Sequence, residues 1–209
     1  MVIVLIAIEF TFIRGFSTLI LYNLSFVLPK YVESHINEKY FTNILEMIIW
    51  SFSAMLLAPI IEELFFWGII LQKWALKWGV RAGILTSSLL FAILHFRFDI
   101  IPLFITGILL SILYFKTRCL ITSMLFHFFY NTIVTTLNII DYFNTSAIDR
   151  NAFVSVKDYQ TSIQPLLSQR VFLLAISTPF LIYFIYKNFP ENDVIIPYFA
   201  NNAKTHETN

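Results

Sequence analysis

The 209-residue chain is 58% hydrophobic and 13% charged, against about 25% charged residues in soluble domains. With a mean hydropathy of +0.74, this composition excludes an ordinary soluble fold and marks an all-α polytopic membrane protein, a helical bundle whose outer face is solvated by lipid. A net charge of +1 excludes a basic footprint for nucleic acid, and a single cysteine, Cys119, excludes both a disulfide framework and a Cys-cluster metal site.

In chain order, residues 2–28 form the first apolar span, broken by Glu9 and Arg14 and ended near Pro29. Met1 leads straight into this run without a basic n-region or a small-residue cleavage site, so the helix is expected to stay as an anchor. Glu9 and Arg14 are five apart and poorly placed to pair along the helix. They are expected to sit near one interface or to meet other helices. Residues 30–43 read as a polar loop containing His35.

The second span, 44–72, carries adjacent carboxylates, Glu62 and Glu63, three residues past Pro59. A mid-membrane charge costs roughly 2.5–3.5 kcal/mol on insertion scales, so the pair is expected to serve a purpose. Pro59 should kink the helix beside it. Gln72 to Arg81 alternates basic residues with Trp74 and Trp78, as an interfacial segment does.

The third span, 82–96, ends with His95, and the fourth covers 100–115. Small residues four apart (Gly83 and Ser87, Ser88 and Ala92, Gly107 and Ser111) predict close helix crossings. The fifth span, 119–140, carries His127 and Asn131; 141–169 reads as a loop, partly helical at most; the sixth span is 171–187. Residues 1–187 thus read as one transmembrane domain of about six helices, and 188–209 as a polar tail. The short connections holding Lys73, Lys77 and Arg81, and Lys116 and Arg118, fall on one side by parity. The positive-inside rule makes that side cytoplasmic, with both termini, in a plasma (inner) membrane.

Three spans therefore place Glu62 and Glu63, His95, and His127 with Asn131 in the apolar zone. His127 and Asn131 share a helix face. Consecutive glutamates diverge by about 100°, so one should face a site while the other reaches a neighbouring helix. At 1.5 Å per residue, Glu62 lies about 15 Å from its basic loop and His127 about 12 Å from Arg118, whereas His95 comes out deeper, about 21 Å from Arg81. A Glu and a His can activate a water by general-base action, and a His and an Asn can donate to an oxyanion. Glu and His are also ordinary zinc ligands, so Glu62, His95 and His127 are a candidate metal set, although the spacing is not that of a HExxH helix.

The pieces Glu62-Glu63-Leu64-Phe65-Phe66-Trp67, Phe91-Ala92-Ile93-Leu94-His95 and His127-Phe128-Phe129-Tyr130-Asn131 occur in order on successive spans. Over roughly residues 45–135 this pattern resembles the CAAX-protease and bacteriocin-processing (Rce1-like, Abi) family of intramembrane endopeptidases. The resemblance implies that Glu62 and His95 activate the attacking water, that His127 and Asn131 stabilise the oxyanion, and that Glu63 supports them. It implies a peptide or protein substrate at the membrane, prenylated C-termini and leader peptides among the options, and either a metal-free or a zinc-dependent centre. The chain departs from the pattern at Trp67, where the family has Arg. Glu63 then needs another cation, for which Arg14 and Arg81 are candidates. The alternatives are a catalytically degenerate member serving as a membrane immunity or partner-binding protein, and a proton-coupled transporter. The lack of repeat symmetry weighs against the transporter.

Overall fold

Helices form where the apolar runs lie, because a backbone in lipid must satisfy its own hydrogen bonds. The computed structural model describes residues 2–37, 41–144 and 155–201, and helix dominates them. The elements are α1 (Val2–Val27), α2 (Pro29–Ile36), α3 (Ile44–Trp78), α4 (Val80–Leu94), α5 (Ile100–Thr117), α6 (Leu120–Asn144) and α7 (Val156–Asn188). Five of these are long and apolar enough to cross a membrane; α4 is not. Its 15 residues rise about 22 Å, short of a hydrocarbon core of about 30 Å. The six expected spans are therefore five full-length helices and one short apolar one.

α5 is the central helix, with 61% of its apolar window buried against 11% for α3 and α7. The faces left outside are apolar: Ile48, Ile49, Ile61, Phe65, Phe172 and Phe180 are all exposed, as a lipid-facing surface requires. The small-residue stripes close the crossings as expected. A Cβ on Gly107 would lie 2.8 Å from the Ser88 Cβ, so α4 and α5 touch backbone to backbone. Gly83 is equally tight against Ala75, where its Cβ would come within 2.7 Å of a backbone nitrogen. The sequence did not single out Gly15, which lets α1 approach Leu174 of α7.

α3 starts at a built cap: Asn43 Oδ1 accepts from the Glu46 N–H at 2.9 Å, and Glu46 accepts from the Thr42 N–H at 2.7 Å. It is not a plain α-helix. A wider π-type spiral runs over Ser53–Leu57, an α turn over Ala58–Glu62, and a second π stretch over Glu63–Ile70. The span expected to end at 72 runs on as helix to Trp78 and is stopped by Gly79 at φ 89°. That conformation suits glycine and reverses the chain into α4.

Three further expectations change. The polar stretch 30–43 contains α2, started by Pro29 at its first turn. The loop drawn over 141–169 is helical to Asn144 and again from Val156, so the sixth span begins fifteen residues before 171; Asp149 and Arg150 lie outside the described residues. Ser155 and Asp158 form a capping box there, and Gln160 Nε2 donates to Ser25 Oγ at 2.9 Å. Capping and packing thus carry the helix through Pro165, which alone argues for a break.

The tail also docks. Arg81 N–H donates to Asn192 Oδ1 at 3.0 Å, Tyr198 N–H to Gln72 Oε1 at 3.2 Å, and Asn201 Nδ2 to the Arg118 carbonyl at 2.9 Å, while Ile196 enters the core. These bonds put both basic turns and the end of α7 together at one end of the bundle.

Candidate active site

The second π stretch opens at Glu63, and widened turns of this kind recur at functional sites. Their effect here is concrete. Pro59 has no N–H, and the Ala58 N–H is spent on the Ser53 carbonyl one π turn back. The carbonyl of Ala54 therefore has no helical donor five residues on. Asn131 on α6 supplies one: its Nδ2 donates to the Ala54 oxygen at 2.8 Å. The proline thus bends the helix and also creates the acceptor that fastens it to α6.

Fastened this way, the two glutamates embrace one imidazole. Glu63, fully buried, lies 3.2 Å from His127 Nδ1 through Oε1. Glu62, with 26% of its side chain exposed, points Oε2 at His127 Nε2 from 3.8 Å. Sequence reasoning expected one glutamate to face the site and the other a neighbouring helix. Glu63 does reach a neighbouring helix, α6, and Glu62 faces the second nitrogen of the same His127.

His95 comes from the other side. It caps α4 just before Phe96, whose φ of 50° turns the chain sharply. Its Nδ1 lies 2.7 Å from the Phe91 carbonyl. A carbonyl only accepts, so Nδ1–H is the donor, and in the neutral ring Nε2 is the free acceptor. That Nε2 lies 3.9 Å from the same Glu62 Oε2. The turn is held by Arg97, which donates through Nε and a terminal nitrogen to Asp99 at 2.9 and 2.8 Å; Ser17 of α1 donates to Asp99 at 3.3 Å.

Between His95 and Glu62 the depth mismatch closes once α3 is followed to Trp78. Sixteen residues from there back to Glu62 rise about 24 Å and fifteen from Val80 to His95 about 22 Å, so the two stand level.

Phe91 sets the wall between the imidazoles, with ring centroids 4.4 Å from His95 and 6.1 Å from His127. Trp67 packs on the same ring at 5.1 Å and donates Nε1–H to Ser111 Oγ at 2.6 Å. Phe66, Trp67 and Phe126 are buried packing residues, while Phe65 and Phe129 face outward.

Neither arginine proposed for Glu63 reaches it as a partner. Arg81 donates to the Pro190 carbonyl at 3.2 Å, and the Arg14 guanidinium rests over the Phe10 ring. His127 takes that place instead, which α3 alone could not reveal.

Of the two expectations for Glu9, an interface or another helix, the second holds. Glu9 is fully buried, accepts from Thr106 Oγ1 at 2.6 Å, and lies within electrostatic range of His127. The signal available was its lack of a helical partner within an apolar run.

The donors are right in kind for zinc but spaced too widely. Tetrahedral bonds of about 2.05 Å require ligand atoms about 3.4 Å apart, against 3.8 and 3.9 Å from Glu62 to the two imidazoles. Among the described residues no group of three or more His, Cys, Asp or Glu is gathered as a metal site. At these gaps the polar atoms are too far apart for direct hydrogen bonds.

An all-helical, polytopic integral membrane protein with a Glu/His cluster buried between its spans is the class that fold and site define. Residues 44–133 match the Rce1-like family model, described as type II CAAX prenyl endopeptidase Rce1-like, which is the family indicated by the three motifs. Its members are membrane proteases, and the matched stretch holds Glu62, Glu63, His95, His127 and Asn131 but neither α1 nor α7. Comparison with curated proteins and with solved structures gives no match.

Proposed function

We propose that the protein is an intramembrane endopeptidase using a Glu62-activated water. One observation carries this reading: two imidazoles from different helices turn Nε2 toward a single Glu62 oxygen, at 3.8 and 3.9 Å, with each Nδ1 bonded away from the site. Glu62 takes a proton from the water, and the water oxygen bonds to the scissile carbonyl carbon as the carbonyl pair moves onto oxygen. His95 accepts the water's other hydrogen bond through Nε2. His127, with Glu63 behind Nδ1, meets the oxyanion through a protonated Nε2. Asn131 adds the amide hydrogen that Ala54 does not take. As the C–N bond breaks, Glu62 passes its proton to the leaving amine.

The substrate is a peptide or membrane-associated protein, and the family description favours prenylated C-termini. Lys73, Lys77, Arg81, Lys116 and Arg118 orient that end of the bundle, with both termini, to the cytoplasm of the plasma (inner) membrane. Trp67, standing where the family has Arg, favours a second reading: a non-catalytic immunity or partner-binding protein on the same scaffold.

The test is to offer purified protein a prenylated C-terminal peptide and an unprenylated leader-type peptide, with products read by mass spectrometry. Cleavage that disappears in Glu62→Gln and His127→Ala, both folded, supports the enzyme. Cleavage unaffected by either change overturns it, and a phenotype that survives both changes at normal expression establishes the scaffold reading.

A further inference from the structure

Glu9 lies on α1, outside the stretch matched by the family model. Its side chain is fully buried, and its Oε2 has no hydrogen-bond partner among the described residues. Its Oε1 lies 2.6 Å from Thr106 Oγ1, which in turn lies 3.2 Å from the Pro102 carbonyl. Phe10, the next residue, packs edge-on against Tyr130 of α6, one turn from His127. His127 thus has three carboxyl groups around it: Glu62 and Glu63 from α3 and, within electrostatic range, Glu9 from α1. His95 is the other imidazole of the cluster.

Hydrogen accounting separates the two states of Glu9. Thr106 has one hydroxyl hydrogen and two oxygens facing it. If Glu9 is a carboxylate, that hydrogen goes to Glu9, the Pro102 carbonyl gets nothing from the hydroxyl, and an anionic oxygen stays buried without a donor. An uncompensated buried charge costs several kcal/mol. His127, within electrostatic range, favours the anion but gives Oε2 no hydrogen bond. If Glu9 is the acid, Oε1–H donates to Thr106 Oγ1 and Thr106 O–H donates to Pro102. Both hydrogens are then used, and only a neutral carbonyl oxygen lacks a partner, which is far cheaper.

We infer that Glu9 is a positioning residue that carries a proton. As a neutral carboxylic acid tied to Thr106, it leaves Glu63 and Glu62 as the only ionic partners of His127 among the described residues. Its importance for hydrolysis rests on the function proposed above; its protonated state does not.

The experiment is infrared spectroscopy of the purified full-length protein in lipid vesicles at neutral pH, in the carboxylic-acid C=O region above the amide I band. The wild type should show an acid band that moves on exchange into D2O, and Glu9→Gln should lose one carboxyl's worth of it. Thr106→Val should shift the band to higher frequency by removing its hydrogen-bond partner. Identical spectra for wild type and Glu9→Gln overturn the inference. Should Glu9→Gln not accumulate folded, an unshifted band in Thr106→Val overturns it equally. No turnover is measured, so inactivity of the protein toward every peptide would leave this result intact.

Discussion

Glu63 and His127 meet at 3.2 Å, carboxylate to Nδ1, although they lie 64 positions apart and on different helices. The same imidazole turns its other nitrogen toward Glu62. In the proposed mechanism the adjacent glutamates divide the work, one orienting the ring and one activating the water. Glu62→Gln should lose about 10²–10⁴-fold in cleavage rate, the scale of a missing general base. Glu63→Gln retains an oxygen that can accept from Nδ1–H, so the ring stays oriented while the charge behind it is gone; its loss should be about 10–100-fold. Single-turnover rates of the two folded variants decide it. Equal losses would contradict the division of roles.

The bond from Asn131 to Ala54 exists because Pro59 cannot donate. Asn131→Ala should therefore destabilise the protein by about 1–3 kcal/mol, the penalty for stripping a buried carbonyl of its donor. Pro59→Ala supplies an N–H to the same carbonyl. In that background the cost of Asn131→Ala should shrink by at least half, read by unfolding in detergent as a double-mutant cycle. Activity should stay low in the double variant, because the second amide hydrogen is still missing. Additive stability losses would mean that the proline and the asparagine act separately.

The separations of 3.8 and 3.9 Å from Glu62 to the two imidazoles are wider than the roughly 3.4 Å edge of a tetrahedral zinc site. Purified protein should keep its cleavage rate after dialysis against a strong chelator, with less than a tenth of an equivalent of zinc left by elemental analysis. A rate that falls with chelation and returns with one equivalent of zinc would mean that the three ligands close together on metal.

The sequence made legible whatever depends on one helix at a time. The apolar runs and the small-residue crossings at Gly83 and Gly107 could be read from spacing, and Glu62, His95, His127 and Asn131 stood out as polar residues within those runs. The hidden parts depend on two helices at once. No spacing rule says that Asn131 answers a carbonyl freed by Pro59, because the π-type turn that frees it is set by packing. Nor does α3 alone show that His127 takes the place assigned to an arginine beside Glu63. The start of α7 was hidden for a different reason: its first turns are polar and contain Pro165, so hydropathy sees a loop where the Ser155 cap and the Gln160–Ser25 bond hold a helix.

Trp67 tests whether the family's arginine could simply be restored. Its indole is completely buried between Phe66 and Phe91, and its one polar atom is bonded to Ser111 on the central helix. An arginine there would bring a charge into a slot lined by aromatic rings. Glu63, the carboxylate within the same π stretch, already faces His127. Trp67→Arg should therefore cost about 3–5 kcal/mol, as an unpaired buried charge does, and should not raise activity. Trp67→Phe removes only the bond to Ser111 and some packing, and should cost about 1–2 kcal/mol. Thermal unfolding of the two variants in the same detergent gives the order. A stable Trp67→Arg protein with faster cleavage would show instead that the slot accepts the cation and that Glu63 leaves His127 to pair with it.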